Sequence, residues 1–182
     1  MRFPFFTAVL VLLASASLGD TTMNPKVIER DAFTVIGISA RTNNAREMTA
    51  DGVIGKQWGR LMQEGLIEKI PNKTDQSIVA VYTDYASDHN GDYTFLLGAR
   101  VKSDSDVPAG MVAKKIPSGK FAVFTTEKGP AQKVVPETWV KINSLPKMAV
   151  GGDRVYREDY EIYDERAADP RNMVVDVYVG IR

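Results

Sequence analysis

The hydrophobic pattern begins to alternate at residue 25. "PKVIERDAFTVIGISAR" (25–41) reads as two short β-branched strands turning at Arg30-Asp31, so a hairpin is expected to open the domain. The period then lengthens. Asn44 can cap a helix with Glu47 three residues on, and Ile54, Trp58, Leu61 and Met62 fall at helical spacing up to Ile70-Pro71. Gly52, Gly55, Gly59 and Gly65 each weaken that helix by up to about 1 kcal/mol relative to Ala, so packing through Trp58 must hold it. Alternation returns in "SIVAVYTDYASD" and "DYTFLLGARVKS". They flank Asn90-Gly91, a pair suited to a tight hairpin turn.

After the turn-rich connection at 104–108 the same order repeats. "GMVAKKIPSGKFAVFTTEK" (110–128) predicts a hairpin turning at Pro117-Ser118-Gly119. A helix follows over Lys133 to Leu145, with Pro136 in its first turn and Val135, Trp139 and Ile142 as its apolar stripe. "DYEIYDER" (159–166) and "NMVVDVYVGI" (172–181) read as the last two strands. Phe33-Thr34-Val35 echoes Phe121-Ala122-Val123, and Tyr82-Thr83-Asp84-Tyr85 echoes Tyr160-Glu161-Ile162-Tyr163. The expected fold is α+β: duplicated β-β-α-β-β halves, an antiparallel sheet of about eight strands, two helices on one face and a ligand cleft on the other.

Composition narrows the function. The 182 residues are 44% hydrophobic and 25% charged, with Lys plus Arg and Asp plus Glu each totalling 23. That suits one globular domain with a real core, and without a basic stripe it argues against nucleic acid as a partner. Met1-Arg2, the apolar run from Phe3 to Leu13 and the small residues Ala14-Ser15-Ala16-Ser17 read as a signal peptide over 1–19, leaving 20–182 as the domain. The run is shorter than the roughly 20 residues a membrane span needs, and retention as an N-terminal anchor is the alternative. A periplasmic or secreted location is expected, without stable membrane insertion after cleavage. There is no cysteine and one histidine, His89. Disulfides and thiolate metal sites are therefore excluded, and no metal or other cofactor is expected. The string Asp88-His89-Asn90-Gly91-Asp92 lacks the spaced ligands and closing Glu of a calcium loop.

The stretches "GDYTFLLGARVKSDSDVPAGMVAKKIPSGKFAVFTTEKGP", "ETWVKI" and "DYEIYDERAADPRNMVVDVYVGI", in that order and spacing, resemble the GyrI-like effector-binding domains. These are the small-molecule-binding modules of many AraC- and MerR-type transcription activators, and the likeness spans residues 25 to 182. The resemblance implies two pseudo-symmetric halves around a hydrophobic cleft. An acidic residue inside receives cationic, aromatic or amphiphilic compounds. Some stand-alone members resemble hydrolases of cyclopropane-containing electrophiles, and others inhibit DNA gyrase. This sequence shows no helix-turn-helix region and carries an export signal, so a stand-alone exported member is expected, neither a transcription factor nor a gyrase inhibitor.

Strand parity proposes the site. Val175, Val177, Val179 and Ile181 share one side of the last strand, expected under the helices, which leaves Asp176, Tyr178 and Val174 on the other. If Tyr160 and Ile162 join the helix side, Glu161, Tyr163 and Glu165 point to the open side with Asp176 and Tyr178. The family's acidic residue lies in the penultimate strand, and the resemblance carries that role to Glu161. Tyr163 and Tyr178 are then expected as aromatic walls and Asp176 as an auxiliary acid. Trp58 and Trp139 are either ligand platforms or core, and Tyr82, Tyr93 and Phe95 are candidate walls of ambiguous parity. The expected function is capture of a small amphiphilic, cationic molecule. The alternatives are hydrolysis of a small electrophile with Glu161 as general acid or base, and a structural or protein-interaction role if side chains fill the space between the halves; nucleophilic acyl transfer lacks its residues. The plain structural reading is a solvated face with Glu161 and Asp176 paired to Arg154, Arg157 or Arg166.

Overall fold

The computed structural model describes residues 24–182, so the signal segment expected over 1–19 lies outside the described residues. Eight strands form one antiparallel sheet: β1 (Lys26–Arg30), β2 (Phe33–Thr42), β3 (Ile78–Thr83), β4 (Tyr93–Val101), β5 (Val112–Ile116), β6 (Gly119–Thr125), β7 (Glu158–Tyr163) and β8 (Asp176–Ile181). Their order across the sheet is β1-β6-β8-β7-β3-β4-β2-β5. Exchanging β1 with β5, β2 with β6, β3 with β7 and β4 with β8 reproduces that order from the other end. The duplication read from the sequence is thus present in the topology, with its pseudo-twofold between β3 and β7.

Two expected hairpins do not form. β1 pairs with β6, and β5 pairs with β2, so each half lends its first strand to the other. The linkers explain this. Tight two-residue hairpins favour Gly or Asn at positive φ, and neither Asp31-Ala32 nor Pro117-Ser118 adopts one. Three residue steps from Arg30 to Phe33 reach at most about 11 Å. The β1 end of the sheet and the β2 end are therefore drawn together, and the sheet curls around its inner face. Where β2 and β4 cross closest, Gly37 opposes Gly98, and a Cβ on Gly98 would stand 1.9 Å from the Ile36 carbonyl oxygen. Only glycine fits there.

The β3–β4 hairpin does form, through a longer connection over 84–92. Its left-handed residue is Asp84 at φ 53°, and Asn90-Gly91 shows no positive φ.

The single helix expected over 44–70 is three pieces: α1 (Asn44–Glu47), α2 (Ile54–Gln63) and α3 (Leu66–Lys69). Asn43, one residue before the expected cap, accepts from the Arg46 amide at 2.8 Å. Glu47 reaches forward to cap α2, accepting from the amides of Val53 at 2.9 Å and Ile54 at 3.1 Å. Gly65 at φ 59° separates α2 from α3. In the second half, α4 (Ala131–Ser144) begins two residues earlier than expected, which puts Pro136 in its second turn, and α5 (Lys147–Val150) follows. All helices lie on the outer face. Leu61, Leu66 and Trp58 pack against Ile38, Tyr82 and Phe95, while Ile142 and Val150 pack against Phe124, Val177 and Val179. The inner face is buried too, under Val35, Val81, Leu96, Phe121, Tyr160 and Tyr178.

Candidate ligand site

At the centre of the sheet Glu161 of β7 faces Ala80 of β3 across the pseudo-twofold and pairs with Val177 of β8. Since Val177 lies under the helices, so does Glu161. The expected parity of β7 is corrected here: Tyr160 and Ile162 turn to the inner face with Tyr178, and Glu161 and Tyr163 turn to the helix face. The cause is that both faces are buried, so the apolar Ile162 did not mark the helix side. The cleft expected on the helix-free face is corrected with it, because that face is packed with side chains.

Aromatic residues from both halves close over Glu161 and the small Ala80 opposite it. Glu161 is 1% exposed. Its Oε1 accepts from the Tyr82 hydroxyl at 2.8 Å and the Trp139 indole N–H at 2.5 Å, and its Oε2 accepts from the Tyr163 hydroxyl at 2.7 Å. Trp58 of α2 meets Tyr163 edge-on at 4.7 Å, and Tyr82 meets Trp139 at 5.1 Å and Phe95 at 5.4 Å. Six sequence-predicted residues, Glu161, Tyr163, Tyr82, Phe95, Trp58 and Trp139, thus converge in the seam between the helix groups. Tyr93 adjoins them, 5.5 Å from Tyr82.

Asp176 and Tyr178 are not among them. Asp176 accepts from Arg166 and Thr125, both at 2.6 Å, and Tyr178 stacks on Tyr160 at 4.5 Å and accepts from Arg30 at 3.1 Å. Glu165 sits in a 3-10 turn beyond the strand.

The electrostatics of Glu161 follow from its partners. Burial raises its pKa above the usual carboxylate value, and the three hydrogen bonds oppose that rise without cancelling it. Burial and the neighbouring carboxylate push the Tyr82 and Tyr163 hydroxyls well above their usual value, so both remain donors. A carboxylate offers about four acceptor positions, and three are filled by neutral groups. The plain structural reading holds for Asp176, which pairs with Arg166, but not for Glu161: Arg154 is engaged with Asp159 at 2.6 Å, Arg157 with Glu158 at 2.7 Å and Arg166 with Asp164 and Asp176. Among the described residues no cation pairs with Glu161.

Asp159 was missed by the sequence reading, although i, i+2 spacing on β7 puts it on the Glu161 face. It is fully buried, held by Arg154, the Tyr85 hydroxyl at 2.8 Å and the Gly180 amide at 2.9 Å. A cavity of about 180 Å³ opens beside Arg154 near the end of α4, with Ile142, Asn143 and Tyr156 in its lining. It lies off Glu161, whose cage is closed.

Duplicated, strand-exchanged halves around a buried acid and an aromatic cage define a small-molecule effector-binding domain. The chain belongs to the Cass2 family of integron-associated effector binding proteins, whose model matches residues 26–181, within the GyrI-like effector-binding group. It is 35% identical over 147 residues to YobU of Bacillus subtilis, which carries a transcriptional-regulator name; the match covers 80% of this chain and 90% of YobU. Its fold matches the integron cassette protein VCH_CASS2 from the mobile metagenome of Vibrio cholerae with a TM-score of 0.71 and 27% identity, covering 87% of this chain and 96% of that one. It matches SAV2435, solved with tetraphenylphosphonium bound, with a TM-score of 0.70 and 18% identity, over 88% and 94% of the two chains.

Proposed function

We propose that this protein captures small, aromatic or amphiphilic monocations, with Glu161 as the charge partner and Tyr82, Trp139, Tyr163, Trp58 and Phe95 as the cage. The observation that carries the reading is a carboxylate 1% exposed whose three side-chain partners are all neutral. Burying an acid without a counter-charge costs several kcal/mol, and a ligand cation relieves that cost while gaining about 0.5 to 2 kcal/mol from ring contacts. The closed cage must open for entry. Trp139 and Trp58 are half-buried and belong to the helices, so they are the outer wall that a ligand displaces. Tetraphenylphosphonium in SAV2435 is a ligand of this chemistry. The N-terminal apolar run supports export, and capture outside the cytoplasm is part of this reading.

The test is a tryptophan-fluorescence titration with tetraphenylphosphonium, since both tryptophans of the sequence stand in the site. Glu161→Gln is expected to weaken binding by about ten- to a hundredfold, the worth of a charge-assisted contact, with the fold intact by circular dichroism. Unchanged affinity removes Glu161 from the mechanism. The same buried acid with tyrosine hydroxyls in reach also suits general acid catalysis on an electrophile. Incubation with a cyclopropane-bearing compound separates the two readings: recovery intact supports capture, and turnover lost in Glu161→Gln supports hydrolysis.

A further inference from the structure

Two carboxylates lie side by side on the helix face of β7. Glu161 and Asp159 are two residues apart, which sets them about 7 Å from one another along the strand. Both are almost wholly buried, at 1% and 0% exposure. They differ in one respect: Glu161 has neutral partners, whereas Asp159 has Arg154. That guanidinium is 8% exposed, bonds Asp159 at 2.6 Å, and lies over the Tyr156 ring at 4.4 Å and the Trp139 ring at 6.0 Å. An acid and two aromatic faces around a cation are the same components the Glu161 cage offers a ligand. Trp139 is shared, giving its N–H to Glu161 and a face to Arg154.

Resting on the ligand reading above, we propose that Arg154 is a built-in cation that occupies the second acidic position of the site and so sets the charge of the ligand at one. Without Arg154, Asp159 keeps only the Tyr85 hydroxyl and the Gly180 amide, a neutral donor set like that of Glu161. The room for a second charged group is the volume that the Arg154 side chain itself fills between Asp159 and the Tyr156 and Trp139 rings; the cavity of about 180 Å³ beside Arg154, with Lys147, Asp153 and Arg182 in its lining, does not reach Asp159. The ligand class that this latent second position fits is a dication whose charges are joined by an aromatic spacer of roughly one ring. Arg154 is thus a specificity-determining residue that favours monocations over such dications.

The experiment compares phenyltrimethylammonium with para-phenylenebis(trimethylammonium), by calorimetric titration of the wild type, Arg154→Met, Arg154→Lys, Asp159→Asn and the Arg154→Met/Asp159→Asn double variant. Arg154→Met is expected to shift the affinity ratio toward the dication by about tenfold or more, equivalent to about 1.4 kcal/mol. Arg154→Lys and the double variant are expected to keep the wild-type ratio, an outcome that loss of packing alone does not produce. Asp159→Asn leaves Arg154 uncompensated beside the cage, and monocation affinity is expected to fall by about fivefold or more through repulsion. An Arg154→Met ratio equal to wild type overturns the role of Arg154 while the Glu161 reading stands. If Arg154→Met does not fold, unchanged monocation affinity in Asp159→Asn overturns it. Failure of the wild type to bind the monocation overturns the Glu161 reading and this proposal together.

Discussion

At Glu161 burial and hydrogen bonding pull in opposite directions, and burial wins: the acid is held above its ordinary pKa. A cation binds the ionised form, so ligand affinity carries this titration. As pH falls below the Glu161 value, tetraphenylphosphonium affinity is expected to drop by about tenfold per pH unit. Above that value it is expected to level off, and Glu161→Gln should remove this limb of the profile. A profile in Glu161→Gln that matches the wild type assigns the titration to another group. The residue's importance was legible because an acid amid tyrosines in a strand needs a reason. Its direction was not. With Tyr160 at 0% and Glu161 at 1% exposure, alternation between buried and exposed positions, the signal that parity depends on, is missing from β7. Around β8 the run Val175, Val177, Val179 and Ile181 did mark the helix side, and Asp176, paired with Ile162, and Tyr178 accordingly lie opposite.

Among the elements, α2 deserves its place in the site through a single neighbour. It carries Trp58, and no side chain of its own N-cap residue, Val53, satisfies its first amides. Glu47 does so from the preceding segment, while also accepting from the Thr42 hydroxyl. Glu47→Ala is expected to cost about 1 to 2 kcal/mol of stability, read by urea denaturation, and to shift Trp58 fluorescence in the folded state. A loss below about 0.5 kcal/mol, within the range of ordinary surface substitutions, contradicts this capping role. The helix period was legible over Ile54 to Met62, but the breaks at 48–53 and at Gly65 were not, because the apolar spacing continues across them. The β1–β2 and β5–β6 hairpins failed for a different reason. Adjacent strands with short linkers usually pair, and only the absence of a Gly or Asn suited to positive φ at Asp31-Ala32 and Pro117-Ser118 warned of exchange between halves.

For the molecule as a whole, the duplication explains where the site lies. Each half contributes a helix with one tryptophan, and the pseudo-twofold between β3 and β7 brings both toward the same central residues. Strand exchange ties the halves together at both ends of the sheet, and the helix-covered seam between them holds the Glu161 cage. Symmetry of fold is not symmetry of chemistry, since Ala80 stands opposite Glu161 and one charge serves both halves. The repeat order and helix positions made the duplicated fold legible, whereas the face bearing the site depended on strand pairing. A crystal structure with tetraphenylphosphonium tests the central claim most directly. The expected result is the phosphonium beside the Glu161 carboxylate, with the Trp139 indole N–H no longer bonded to it. Ligand seated on the inner face beside Asp176 and Tyr178, with the Trp139–Glu161 bond intact, is the result that contradicts it.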